Sequence, residues 1–404
     1  MADPAFFRNF ADNKPIQDGK HASNPHTPDR RERIGWIDLL RVLACFLVVF
    51  AHCCDPYVAA FDTDRTAFLS GVFSGSLVRC SVPLFVMMTA VLLLPVRTDT
   101  AAFYRRRIGR VVLALVFWSV ALPLLYFLYV QAAGDATSLA AENYTWDATL
   151  PRLWNFVFNF NYETTPLWYL YMLVGLYLIM PVVSPWLERA SKRELRLLLG
   201  VWGLTLLLPY LRLLAPLAGY AGNYGNMGLY GICDWNEFGS FHYVSGFAGY
   251  LLLAHYLTKY PPAWSWRRLA ACCIPAFLVG YLITSFGFVF LQEHFPGNYA
   301  YLEIIWYFSG LNVFLMTVPV FLTVQKLAVK PRPWLSRLAG ATFGIYLCHF
   351  VFVQGAYDLV CRTQPLAALP DPVRILLAAC MAFAVSFLLV QLMRQWRPTR
   401  LLVE

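Results

Sequence analysis

The sequence predicts an all-α integral membrane protein, a bundle of about ten transmembrane helices with both termini cytoplasmic. Three observations predict it. First, the 404 residues are 59% hydrophobic and only 14% charged, whereas soluble globular chains carry about 25% charged residues. So few charges cannot cover a water-facing surface, and lipid must be the solvent for much of the chain. Second, ten stretches are apolar over the roughly 20 residues a helix needs to cross a bilayer core. Third, Lys and Arg concentrate in alternate loops between those stretches, the signature of topology signals.

In chain order, residues 1–33 are polar and interrupted by Pro4, Pro15, Pro25 and Pro28. No short apolar core precedes a cleavage site, so this stretch reads as a disordered cytoplasmic tail rather than a signal peptide. The predicted spans are 34–54, 76–95, 108–130, 166–186, 197–217, 239–258, 269–291, 301–324, 338–356 and 373–393. Together they form one membrane domain over 34–394, followed by a short basic cytoplasmic tail, 395–404.

The loop charges support each boundary. The tail carries Lys14, Lys20, Arg30, Arg31 and Arg33. The loops of the same parity carry Arg97, Arg105, Arg106, Arg107 and Arg110; Arg189, Lys192, Arg193 and Arg196; Lys259, Arg267 and Arg268; Lys326, Lys330, Arg332 and Arg337; and finally Arg394, Arg397 and Arg400. The intervening loops are poor in Lys and Arg and carry Asp62, Asp64, Asp135, Glu142, Asp147, Glu163, Asp234, Glu237 and Glu293. A missed span would invert the pattern downstream, and positive loops stay in the cytoplasm.

The net charge of +9 belongs to these topology signals, which argues against nucleic-acid binding. Ten cysteines show no C-x-x-C spacing and read mainly as small apolar packing residues. The histidines, at 21, 26, 52, 242, 255, 294 and 349, are scattered, so no metal centre is expected. The largest outer loops, about 131–165 and 218–238, are rich in aromatics and amides: Tyr144, Trp146, Trp154, Asn155, Asn159, Asn161 and Tyr162, then Tyr220, Asn223, Tyr224, Asn226, Tyr230, Trp235 and Asn236. They fit an interfacial aromatic belt and equally a sugar-binding face, where rings stack on sugar C–H faces and amides bind hydroxyls.

Ionisable groups inside spans are costly and mark function. The first span holds Arg41, His52 and Asp55. Eleven residues separate Arg41 from His52, three turns plus roughly 20°, so they share a face about 16 Å apart along the axis. Asp55, three residues on, sits on the same face. It is placed to hold one imidazole nitrogen and leave the other as a base. A snorkelling Arg41 and an interfacial His52 are the structural alternative.

The Arg-x10-His spacing, preceded by Ile37-Asp38-Leu39-Leu40, resembles acyltransferase family 3, membrane acyltransferases of which many O-acetylate surface polysaccharides. Val82-Pro83-Leu84-Phe85-Val86-Met87-Met88-Thr89 resembles the family's V-P-L-F-F-x-x-S-G stretch, with Thr89 and Ala90 in place of Ser-Gly. Arg107 and Arg110 match its R-x-x-R. Leu167-Trp168-Tyr169-Leu170, followed by Gly175-Leu176-Tyr177-Leu178 and Pro181, resembles its W-Y-L segment. Phe343-Gly344-Ile345-Tyr346-Leu347-Cys348-His349 resembles its late I-Y-L-x-H segment. The resemblance runs from about residue 34 to 393.

The resemblance implies His52 as catalytic residue, Arg41 as its partner, and Arg107 and Arg110, flanked by Arg106, as contacts for an acyl-coenzyme A donor, most often acetyl-coenzyme A. Guanidinium groups make bidentate contacts to phosphates, and Arg107 and Arg110 lie one turn apart. Arg41 is placed to meet the amides of the donor's pantetheine arm or to carry a thioester oxyanion. His52 is placed to act as general base or as nucleophile. Arg79, Trp168, Tyr169 and Glu303 are weaker candidates for acceptor contacts, and His349 reads first as a packing histidine. No permanently bound cofactor is expected. The expected partners are acyl-coenzyme A, a glycan or lipid-linked acceptor and membrane lipids, in a bacterial-type cytoplasmic membrane. The competing classes are a transporter or flippase without group transfer, and a sensor that binds without turnover.

Overall fold

The structure is a computed structural model that describes residues 34–404 apart from 159, 216–217, 220–227, 234–235, 237 and 297–298. The predicted tail 1–33, and Asn159, Tyr220, Asn223, Tyr224, Asn226, Asp234, Trp235 and Glu237 of the outer loops, lie outside the described residues.

The described chain is helical. Its main helices are α1 (Gly35–Val58), α2 (Arg65–Leu77), α3 (Ser81–Leu93), α4 (Thr100–Ala133), α5 (Trp168–Arg189), α6 (Lys192–Thr205), α7 (Leu208–Leu214), α8 (Ala248–Lys259), α9 (Trp266–His294), α10 (Tyr299–Trp306), α11 (Leu311–Leu327), α12 (Pro333–Arg362) and α13 (Asp371–Met393). Starts are set by side-chain caps that satisfy orphan N–H groups: Asp64 for α2, Asp99 for α4, Ser265 for α9, and a reciprocal Ser191/Glu194 pair for α6. The Asp99 cap starts α4 earlier than the apolar run, so Arg105, Arg106, Arg107 and Arg110 lie on its first turns.

Among the described residues, nine helical segments are long and apolar enough to cross a bilayer. The predicted span 239–258 departs from expectation. It is a 3-10 turn, Gly239–Val244, followed by the 12-residue α8, about 18 Å long and short of a full crossing. Gly239 and Gly246 take positive φ, 50° and 70°, which interrupts helix propagation. The Trp202 indole N–H donates to the freed Gly246 carbonyl at 2.9 Å.

The central helix is α1, which packs against α2, α3, α11, α12 and α13. The outward faces are apolar. On α9, Ile274, Leu278, Leu282, Phe286 and Phe290 recur every fourth residue and are all exposed. A stripe of that size has no place in water; it is a lipid-facing surface, and the chain is a multi-pass membrane protein.

The loop pattern has a physical counterpart. Contacts join several of these segments in pairs: Arg97 with Glu188 (3.8 Å), Lys192 over the Tyr260 ring (5.0 Å) and Ser336 donating to Asp38 (2.6 Å). Arginines outside the basic loops are tied down: Arg65 to Glu293, Arg152 to Glu163, Arg374 to Asp371, Arg79 to the Trp306 carbonyl and Arg362 to the Asp135 carbonyl. The 395–404 segment is anchored rather than loose: Trp118 donates to the Leu402 carbonyl at 3.0 Å, Val403 is buried, and Arg394 and Arg400 both bind Glu404. Those two arginines outweigh partial burial and hold the Glu404 carboxyl below its usual range. All ten cysteines are free thiols.

Candidate active site

The site is built on α1. His52 and Asp55 meet across one turn, Nδ1 to Oδ2 2.7 Å. A carboxylate accepts, so Nδ1 carries the hydrogen and Nε2 keeps its lone pair. The His52 ring packs edge-on to Phe350 (5.2 Å between centroids) and against His349 (5.3 Å), both on α12. About a quarter of the His52 side chain is exposed, so substrate can approach it.

Beside this pair is a cavity of about 710 Å³. Asp55 and Arg79, both predicted site residues, line it, as do Trp168, Thr165, Gln292 and Phe308. Arg79 lies flat over Trp306 (4.7 Å) and Phe308 (4.4 Å) while donating to the Trp306 carbonyl at 2.7 Å. Trp168 stacks on Phe308 with centroids 5.6 Å apart. The result is an aromatic wall carrying a fixed guanidinium, with a carboxylate and a buried amide, Gln292, facing the same space. Gln292 was not foreseen, because its position in a long apolar helix gives no local signal. Tyr169 does not reach this cavity. It is buried between Phe85 (6.0 Å) and Tyr346 (5.5 Å) in the bundle interior. Glu303 falls on α10, but its side chain lies outside the described residues.

At the opposite end of α1, Arg41 lies within electrostatic range of Asp38, Tyr177 and Arg110. Tyr177 in turn is within range of Arg107, Arg110 and Arg41. Two of the predicted donor contacts, Arg107 and Arg110, and the predicted catalytic partner Arg41 are therefore electrostatic neighbours of one tyrosine of α5. The local reason is packing: Phe103 stands edge-on to Tyr177 (5.9 Å) and Tyr104 donates to the Leu178 carbonyl (2.7 Å), which docks the first turns of α4 on α5. Arg106, exposed and a residue away on the helix, is not among the neighbours of Tyr177. Tyr177 lies two turns beyond Tyr169 in the W-Y-L-like segment, so its inward direction was readable, though not its role as the meeting point.

Between the two ends, Tyr169, Tyr346 and His349 form a chain of edge-on and tilted ring contacts leading to His52, with centroids 5.5, 5.9 and 5.3 Å apart. His349 is fully buried, its Nδ1 2.6 Å from the Tyr346 carbonyl. Among the described residues no His/Cys/Asp/Glu cluster is arranged as a metal site.

A cationic cluster at one end of a helix and an imidazole–carboxylate pair at the other is a layout suited to group transfer from an anionic carrier. The family model for an acyltransferase domain, acyltransferase family 3, matches residues 34–391. The chain belongs to this family. No curated protein and no solved structure matches it. As a family 3 member it is a membrane acyltransferase, and the residues predicted from the sequence fall into two groups, His52 with Asp55 and Arg41 with Arg107 and Arg110.

Proposed function

We propose that this acyltransferase moves an acyl group, acetyl in the first instance, from acyl-coenzyme A to a hydroxyl of an extracytoplasmic glycan or its lipid-linked precursor, in the cytoplasmic membrane. The observation that carries this reading is the His52–Asp55 pair, 2.7 Å apart, beside an aromatic cavity, on the same helix as Arg41. Arg107 and Arg110, with Arg41 near them, bind the donor's phosphates at the basic end. The acyl arm runs along α1 toward His52, a rise of about 16 Å. The acceptor enters the cavity of Asp55, Trp168 and Gln292, where aromatic faces stack on sugar C–H groups and polar groups bind hydroxyls.

In the reaction, His52 Nε2 takes the proton of the acceptor hydroxyl as that oxygen attacks the thioester carbonyl. The new O–C bond forms, the C–S bond breaks, and the proton passes from His52 to the departing thiolate. Asp55 keeps the imidazole in the required tautomer and stabilises its charged form.

The test is release of free coenzyme A from acetyl-coenzyme A by purified wild type and His52→Ala, with water or a panel of methyl glycosides as acceptor. Removing a general base costs on the order of 10²–10⁴ in rate, and a loss of that size is expected in the variant. Full turnover by His52→Ala would overturn the assigned role. Movement of a labelled glycan across a vesicle wall without any donor would favour the transport alternative.

A further inference from the structure

We propose that His349 is a positioning residue for His52: once His52 has taken the acceptor's proton, the lone pair on His349 Nε2 receives the Nε2–H of His52. The proposal rests on the reading above, that His52 is the base.

The geometry of His349 fixes its protonation. Its Nδ1 is 2.6 Å from the Tyr346 carbonyl oxygen, and a carbonyl only accepts, so Nδ1 carries the hydrogen. A neutral ring then has a bare lone pair on Nε2. The ring is 0% exposed, and among the described residues no donor reaches that nitrogen. A buried acceptor without a donor is destabilising. It persists where another state of the protein supplies the missing donor.

Its ring contacts come from two helices. From α1 there is His52, with Asp55 behind it; from α12, Tyr346 and the apolar Phe350. The Tyr162 hydroxyl belongs to the electrostatic surroundings of Asp55. In the resting state His52 offers a lone pair at Nε2 because Asp55 holds its Nδ1–H. Two lone pairs make no bond, which accounts for the unpartnered Nε2. A proton on His52 Nε2 turns one of them into a donor. Two imidazoles joined by an N–H···N bond of about 2.9 Å place their centroids roughly 5 Å apart. The observed separation is 5.3 Å with a 39° tilt, a distance that accommodates such a bond once the two Nε2 edges face each other. His349 never touches substrate. The proton goes from hydroxyl oxygen to His52 Nε2, is held there while the O–C bond forms and the C–S bond breaks, and leaves to the thiolate sulfur.

This assigns His349 a signature that a packing histidine lacks. His349→Phe removes the unpaired nitrogen together with the Nδ1–H donor to the Tyr346 carbonyl and keeps an aromatic ring, and per folded molecule kcat for coenzyme A release falls about tenfold to hundredfold with donor KM unchanged. His349→Gln, whose amide oxygen accepts a hydrogen bond, recovers at least part of kcat. A lower melting temperature with activity falling only in proportion to folded protein would overturn the proposal, as would a stable His349→Phe with full kcat. Where Phe does not fold, the comparison runs between His349→Gln and His349→Leu. Gln faster than Leu per folded molecule supports the proposal, and equal rates overturn it. A dead His52→Ala beside a fully active His349→Phe rejects this inference alone. A fully active His52→Ala rejects the base assignment beneath it.

Discussion

Asp55 accepts the Nδ1–H of His52 at 2.7 Å from one turn along the same helix, so the hydrogen bond lies within α1 itself. No relative motion of helices disturbs it. The pair is partly solvated, with the Asp55 side chain about half exposed, which limits its electrostatic contribution.

That exposure sets the size of the first prediction. Asp55→Asn retains an acceptor oxygen but no charge to stabilise the imidazolium, and its amide can also present the wrong hydrogen-bonding group. In buried triads the corresponding change costs about 10⁴ in kcat. Here solvent screens the pair, and the expected loss is roughly tenfold to a hundredfold in kcat, with donor KM unchanged. Steady-state kinetics of the variant check this. An unchanged kcat would mean that Asp55 serves the cavity wall and not the histidine.

The donor end gives a contrast within five residues, Arg106 to Arg110. Arg107 and Arg110 reach the surroundings of Tyr177, and Arg106 does not. A charge-assisted hydrogen bond contributes about 1.5–3 kcal/mol, so Arg107→Ala and Arg110→Ala each raise the KM for acetyl-coenzyme A about tenfold to a hundredfold. Arg106→Ala, outside the group of charges around Tyr177, changes it less than about twofold. Added salt should raise the wild-type KM and leave the double variant less responsive. Equal effects from all three positions would point to topology or general charge instead of a built phosphate site.

How much of this was legible in the sequence follows from where each signal lives. Arg41, His52 and Asp55 lie on one helix, and helical periodicity alone places them on a common face. The apolar runs likewise announce α1, α4, α9, α12 and α13. The convergence of α1, α4 and α5 on Tyr177, and the contact of His52 with His349, are tertiary, and no local pattern encodes them. The half-length α8 was missed for another reason: hydropathy counts Gly239 and Gly246 as neutral, yet their positive φ ends the helix. Tyr169 was offered as a site residue from its motif and lies in the packed interior, two aromatic contacts away from His349.

The seat of α8 supplies the last prediction. A Cβ on Gly249 would lie 2.0 Å from Trp202 Cε2, far inside van der Waals contact. The indole has little room to yield. It is 2% exposed, stands against Tyr250 (5.0 Å) and Phe314 (5.7 Å), and is held by its bond to Gly246. Overpacking of this kind costs about 1–3 kcal/mol, so Gly249→Ala lowers the melting temperature of the purified protein. Trp202→Leu also destabilises, by cavity formation and by stripping the Gly246 carbonyl of its donor. The double variant removes the clash as well, so its loss is smaller than the sum of the two single losses, with a coupling of about 0.5–3 kcal/mol. Thermal melts of the four proteins decide it. Additive losses would mean that α8 shifts away from Trp202 without resistance, and that the close approach of glycine to indole does not fix where this half-length helix sits.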